Sequence, residues 1–138
     1  LTSKVIARDG RFIAYDDGTV LDTRTSLMWA ANDNGRNINW PDAKSYCENY
    51  RGGGYSDWRM PTYEELAGLY DGSKSYQVMA RQRDYEVHLT KLITLSSWHT
   101  WSSDADGSGA AFFIFTNGTR YWTYHSQDSR ALPVRSFK

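Results

Sequence analysis

Two aromatic and β-branched runs, Ala110 to Thr116 and Thr119 to Tyr124, flank the dipeptide Asn117-Gly118. No other stretch constrains the fold as tightly. Asn-Gly between such runs signals a two-residue β-hairpin, because both residues accept the positive φ of a type I′ turn. A two-residue loop also fixes the register. It sets Phe115 opposite Arg120, Ile114 opposite Tyr121, Phe113 opposite Trp122 and Phe112 opposite Thr123. Side chains alternate across a strand. One face then carries Ala111, Phe113, Phe115, Trp122 and Tyr124, and its apolar character assigns it to the core. The other carries Phe112, Ile114, Thr116, Thr119, Tyr121, Thr123 and His125. A mixed face of this kind is either half covered by a loop or exposed for binding.

The first third of the chain also reads as strands. Arg11 to Tyr15, Thr19 to Asp22 and Leu27 to Trp29 are short runs separated by Asp16-Asp17-Gly18 and Thr23-Arg24-Thr25-Ser26. A first helix is predicted over Pro41 to Tyr50, with proline at the first helical position, where its missing N–H is no loss. Trp40, Ala43, Tyr46 or Cys47, and Tyr50 recur along it at helical spacing, and Gly52-Gly53-Gly54 stops it. Thr62-Tyr63-Glu64-Glu65 reads as a capping box that starts a second helix, with Leu66, Leu69 and Tyr70 as its apolar stripe and Gly72 at its end. A third helical stretch is predicted from Tyr85 to Leu95 on the apolar spacing of Val87, Leu89, Leu92 and Ile93. Ala131 to Arg135 reads as a closing strand, with Pro133 at an edge or bulge. Strands, then helices, then strands make the fold class α+β.

The 138 residues fit one domain, residues 1–138, with no repeat or linker dividing them. Sixteen basic residues balance sixteen acidic ones, so no long-range field steers nucleic acid or an anionic membrane. No stretch approaches the roughly 20 apolar residues of a membrane span, so no membrane insertion is expected. The chain begins with Leu1, as an excerpt or a processed product would, so the lack of an export signal carries no weight. Cys47 is the only cysteine; it cannot form an internal disulfide and is expected to be buried and inert. The 6 Trp, 10 Tyr and 5 Phe serve equally well in cores and on binding surfaces.

Three segments carry a family resemblance. They are Asp17 to Thr25 with Leu27-Met28-Trp29, then Asp57-Trp58-Arg59-Met60-Pro61-Thr62 with Glu65-Leu66, and Ala131-Leu132-Pro133-Val134-Arg135. Together they resemble the bacterial family named for the C-terminal domain of the Lcl collagen-like adhesin. The middle segment is also similar to the Arg-Leu-Pro-Thr-x-x-Glu-Trp signature of formylglycine-generating enzymes. The resemblance implies a C-type-lectin-like fold: two main helices on a twisted antiparallel sheet, a late β-hairpin, and a last strand beside the N-terminal one. It also implies an adhesin or display domain in an extracellular or cell-surface setting. Some proteins of this fold are variable proteins of diversity-generating retroelements, rewritten on the late strands and nearby loops. The matching positions here are Trp98, His99, Phe112, Ile114, Tyr121, Thr123, His125, Gln127 and Asp128. Family members often carry cysteines in the stretches matching Gln77 to Arg81 and Leu95 to Trp98, and this chain has none there.

Enzymatic motifs are not found. The enzymes of this fold use paired cysteines near the C-terminal end or clustered histidines. This chain has no cysteine after Cys47, and His88, His99 and His125 lack metal-ligand spacing. No catalytic elbow, phosphate loop or zinc motif appears. Asp104-Ala105-Asp106-Gly107-Ser108 opens like a calcium loop, but Phe113 stands where the bidentate Glu belongs, so a polar turn is the better reading. Asp57, Glu64 and Glu65 read as acids of a helix start rather than a catalytic pair. Trp58 and Arg59 read as packing that helix onto the sheet. The expectation is a non-enzymatic domain without cofactor or metal, binding a protein or glycan on the late-strand face. The alternatives are a formylglycine-generating-enzyme-like oxidoreductase that has lost or replaced its metal site, and a structural domain that forms homo-oligomers.

Overall fold

The computed structural model describes residues 3–137. Four strands open the chain as an antiparallel meander: β1 (Val5–Asp9), β2 (Phe12–Tyr15), β3 (Thr19–Asp22) and β4 (Leu27–Ala30). The closing strand β10 (Val134–Ser136) pairs antiparallel with β4 and completes a five-stranded sheet ordered β1-β2-β3-β4-β10. The expected place of the last strand beside the N-terminal one is therefore corrected, because β1 lies at the opposite edge. Pro133 sits just before β10, where it breaks no ladder bond, and its carbonyl accepts from the Ala30 N–H at 3.1 Å.

Helix α1 spans Trp40–Asn49, with the Asn39 side chain accepting from the Asp42 N–H at 2.9 Å. Its inner face buries Ala43 and Cys47. Burial pushes the Cys47 thiol up to about 12, so it stays protonated and unreactive. Helix α2 spans Tyr63–Leu69, and the capping box is present in full. Thr62 Oγ1 accepts from the Glu65 N–H at 3.1 Å, and Glu65 Oε1 accepts from the Thr62 N–H at 2.9 Å. Arg59 grips the same carboxylate with two bonds of 2.7 Å. Burial pushes the Glu65 carboxyl up, but Arg59 and the Thr62 N–H outweigh it and hold it below the usual range. Trp58 is buried, its indole N–H donating to the Gly52 carbonyl.

The predicted helix from Tyr85 to Leu95 is not there. Instead β5 (Tyr76–Ala80) and β6 (Arg83–Val87) form a two-stranded arm. From Asp84 on, Tyr85 and Val87 turn inward while Asp84 and Glu86 stay out, a period of two rather than 3.6. Leu89, Ile93 and Leu95 are buried from an irregular segment, so their near-helical spacing came from packing and not from a helix.

The last sheet is ordered β7 (His99–Asp106), β8 (Gly109–Ile114), β9 (Thr119–Tyr124). The hairpin is real, but its register differs from the expected one by two residues: Ile114 faces Thr119, Phe113 faces Arg120, Phe112 faces Tyr121 and Ala111 faces Trp122. The cause is Phe115. It is fully buried, its N–H bonds the Trp98 carbonyl at 2.8 Å, and its carbonyl takes the His88 N–H at 3.0 Å. These bonds pull Phe115 and Thr116 out of the ladder, and the loop grows to four residues. Only Gly118 takes a positive φ, of 77°. A shift of two keeps every side chain on its predicted face. Ala111 is fully buried, and Phe113 and Phe115 enter the main core with Leu66, Leu69, Trp29 and Leu132. Trp122 and Tyr124 do not: they are 47% and 65% exposed, because β9 is the sheet edge and overhangs the core. Their assignment to the core is corrected. Phe112 on the mixed face is buried in a second cluster with Trp101, Ala43, Cys47 and Met60 under α1.

Candidate functional site

Between the β5–β6 arm and the three-stranded sheet lies a cavity of about 650 Å³. Its aromatic wall is built stepwise. Tyr85 of β6 lies 5.5 Å from Trp98, which precedes β7. Trp98 meets the edge of His99 at 4.1 Å, His99 lies 4.7 Å from Phe112 on β8, and Phe112 lies 5.2 Å from Tyr121 on β9. Cross-strand neighbours thus turn one sequence position per strand into a continuous surface. Thr123, Gln127 and Asp128 line the same cavity.

Two sequence-chosen residues do not line it. Ile114 stands opposite His99 on the ladder and packs against the cluster under α1. His125 stacks on Trp40 at 4.7 Å, and its Nε2 lies 2.9 Å from the Gly109 carbonyl, so it ties the end of β9 to the start of α1. Of the residues expected in loops flanking the late strands, Trp98 lies in one, just before β7, but His99 opens β7 and is only 6% exposed. Its Nδ1 makes a short hydrogen bond with the buried Ser129 hydroxyl. Burial, then the positive charges of Arg130 and Arg81, push the His99 imidazole down to about 4. A neutral ring at pH 7 follows.

Sequence reasoning missed several lining residues. Met79, Ala80, Arg81 and Tyr85 come from the β5–β6 arm, which was read as helix or left unread. The alternation of Tyr76-Gln77-Val78-Met79-Ala80 was the available signal. Arg81 and Gln82 both adopt positive φ, 53° and 62°, in a tight turn without glycine or asparagine. Non-glycine residues in this region carry strain that the surroundings must hold. Arg130 is fixed by bonds to the Ser96 hydroxyl at 2.8 Å, the Ser96 carbonyl at 3.3 Å and the Asn37 side chain. Ser96 is in turn held by Asp33. Among the described residues, Arg81 and Asp128 form no ion pair, so both charges stand free at the cavity.

The arrangement offers stacking surface, two free charges and short polar groups. Among the described residues no group of three His, Cys, Asp or Glu side chains is placed to hold a metal ion. No helix there is long and apolar enough to cross a membrane. A comparison with curated proteins finds no match. The model of the Lcl C-terminal domain family matches residues 18–135, from the β2–β3 turn into β10, and the chain belongs to that family.

Proposed function

We propose that this is a non-enzymatic binding domain of adhesin or display type, with a C-type-lectin-like fold, that captures a protein or glycan in the cavity between the β5–β6 arm and β7–β9. The observation that carries the reading is the aromatic wall from Tyr85 to Tyr121 closing a cavity of about 650 Å³ beside free charges at Arg81 and Asp128. Pockets that bind ligands combine apolar and aromatic lining with a few placed polar groups. Membership of the Lcl C-terminal domain family supports a surface role, and two helices on antiparallel sheets, with the first and last strands in one sheet, support the lectin-like architecture. The position of Ser129 favours binding over hydrolysis. It is the hydroxyl bonded to His99, yet it is wholly buried and has no path to an attacked carbonyl. Seven positions matched to variable residues line the cavity, and the two on β9, Tyr121 and Thr123, are accessible enough to change without disturbing the fold. A display protein needs this combination.

The test compares the parent with Tyr121→Ala/Thr123→Ala on glycan and peptide arrays, with thermal melts as control. Melts within a few degrees and loss of capture are expected. Undiminished capture by the folded double variant refutes this site.

A further inference from the structure

The cavity wall formed by β9 continues into an unusual sheet edge. Two bonds fix which backbone groups of β9 face outward. The Phe115 N–H bonds Trp98 on the β7 side of β8, and the His125 N–H bonds Ser108 one step beyond the β8–β9 ladder. Hydrogen-bonded and non-bonded pairs alternate along an antiparallel ladder. Tyr121 and Thr123 therefore aim their N–H and C=O at β8, and Arg120, Trp122 and Tyr124 aim theirs outward. The Tyr124 carbonyl is taken by the Gln127 N–H at 3.0 Å. The Arg120 and Trp122 N–H and C=O and the Tyr124 N–H have no hydrogen-bond partner among the described residues. They form a row of donors and acceptors repeating about every 7 Å.

Edges are normally guarded by bulges, charges, proline or brevity. Four of the other edges here follow that rule: β1 has a register shift between Val5 and Ala7, β7 has one between Trp101 and Ala105, β10 is three residues long, and β6 carries Arg83, Asp84 and Glu86; the β5 edge, Tyr76–Ala80, is also uncharged and regular but is one residue shorter than β9. The β9 edge, Thr119-Arg120-Tyr121-Trp122-Thr123-Tyr124, has a regular register and no proline. Its single charge is turned away, because the Arg120 guanidinium lies 4.4 Å over the Tyr63 ring and 3.3 Å from Asp104.

We propose that the β9 edge takes an extended peptide segment of another protein as an added strand. The proposal rests on the cavity reading and deepens it by naming the ligand class. Only an extended backbone offers complementary groups at this repeat. Side chains of the added strand alternate between two faces. One set, on the side of Tyr121 and Thr123, enters the main cavity, where Tyr85, Trp98 and Phe112 suit an aromatic or large aliphatic residue. The other set meets Trp122 and Tyr124 over a shallow cleft floored by Gly109. A second copy of the chain is the weaker occupant. Pairing β9 with its own copy engages six residues a side, against the roughly 20–30 of a standard interface, and leaves the main cavity unfilled.

The experiment selects a random-peptide phage library on the parent domain and measures the best synthetic binder. Trp122→Pro removes one outward N–H and is compatible with an edge strand, whereas Trp122→Thr keeps it. About tenfold weaker binding is expected for the proline variant relative to the threonine variant. On the unaltered protein, bound peptide should slow amide exchange at Arg120, Trp122 and Tyr124. Equal affinities for the two variants together with unchanged exchange at those amides overturn the added strand. If such a binder is still lost with Tyr121→Ala, the cavity reading survives alone. A library that yields no binder while the glycan array does also overturns the strand and keeps the cavity. Self-association abolished by Trp122→Pro assigns the edge to a second copy and overturns the peptide ligand.

Discussion

Replacing Phe113 and Trp122 in turn by alanine separates the two faces of the late hairpin. Phe113 is fully buried, with Phe115 at 4.7 Å, Tyr63 at 5.9 Å and Tyr70 at 6.2 Å. Removing a phenyl group from such a core costs about 3–5 kcal/mol, since packing relaxes only in part around the cavity. Trp122 is 47% exposed, and the Arg120 guanidinium lies 5.4 Å from its ring centre. Half the transfer gain of a large apolar side chain plus an exposed cation–π contact comes to roughly 1.3–2.5 kcal/mol. The two variants should differ by about 2 kcal/mol. With a slope of about 2 kcal/mol/M for a domain of this size, their urea midpoints should lie about 1 M apart. Far-UV circular dichroism is the readout, because Trp122→Ala itself changes the fluorescence. Equal midpoints, or a larger loss for Trp122→Ala, refute the edge position of β9.

Thr62→Ala should cost about 1 kcal/mol by leaving the Glu65 N–H uncapped; an unchanged thermal midpoint contradicts it. His99 has a folded pKa of about 4 against an ordinary 6.5, so the unfolded chain binds a proton first. Its contribution is complete above pH 6.5 and is lost as pH falls toward 4. His99→Gln should flatten the pH dependence of stability in that window, and an NMR titration should show no protonation of His99 in the folded protein between pH 7 and 5. Glu65 is held below its ordinary 4.5, so its contribution is present above that value and is lost as pH falls further. Glu65→Gln should remove part of the loss below pH 4.5 in acid unfolding curves.

Much of this fold was legible because its signals are local. The Thr62–Glu65 cap, the proline in the first turn of α1 and the early meander depend on neighbours a few residues apart. The misreadings share a different cause. Phe115 is removed from the hairpin ladder by His88 and Trp98, which no local spacing reveals. The unbroken apolar run Ala110-Ala111-Phe112-Phe113-Ile114-Phe115 was the available clue, since a strand buried on both faces loses its alternation. Trp122 alternates correctly but lies beyond the core's edge, and alternation reports the face without reporting the cover. The arm at Tyr76–Val87 was missed because its turn, Arg81-Gln82, lacks the residues that normally mark positive φ. With it went one side of the cavity, so the candidate residues on β8 and β9 were seen without the surface that faces them.

The most direct measurement is an amide chemical-shift map of the isotope-labelled domain with the strongest binder from the glycan and peptide arrays. Shifts concentrated on Arg81, Tyr85, Trp98, Tyr121, Thr123 and Asp128 are predicted, because these residues line one cavity. Shifts confined to residues 32–39, the polar loop before α1, with the cavity silent, would contradict the account.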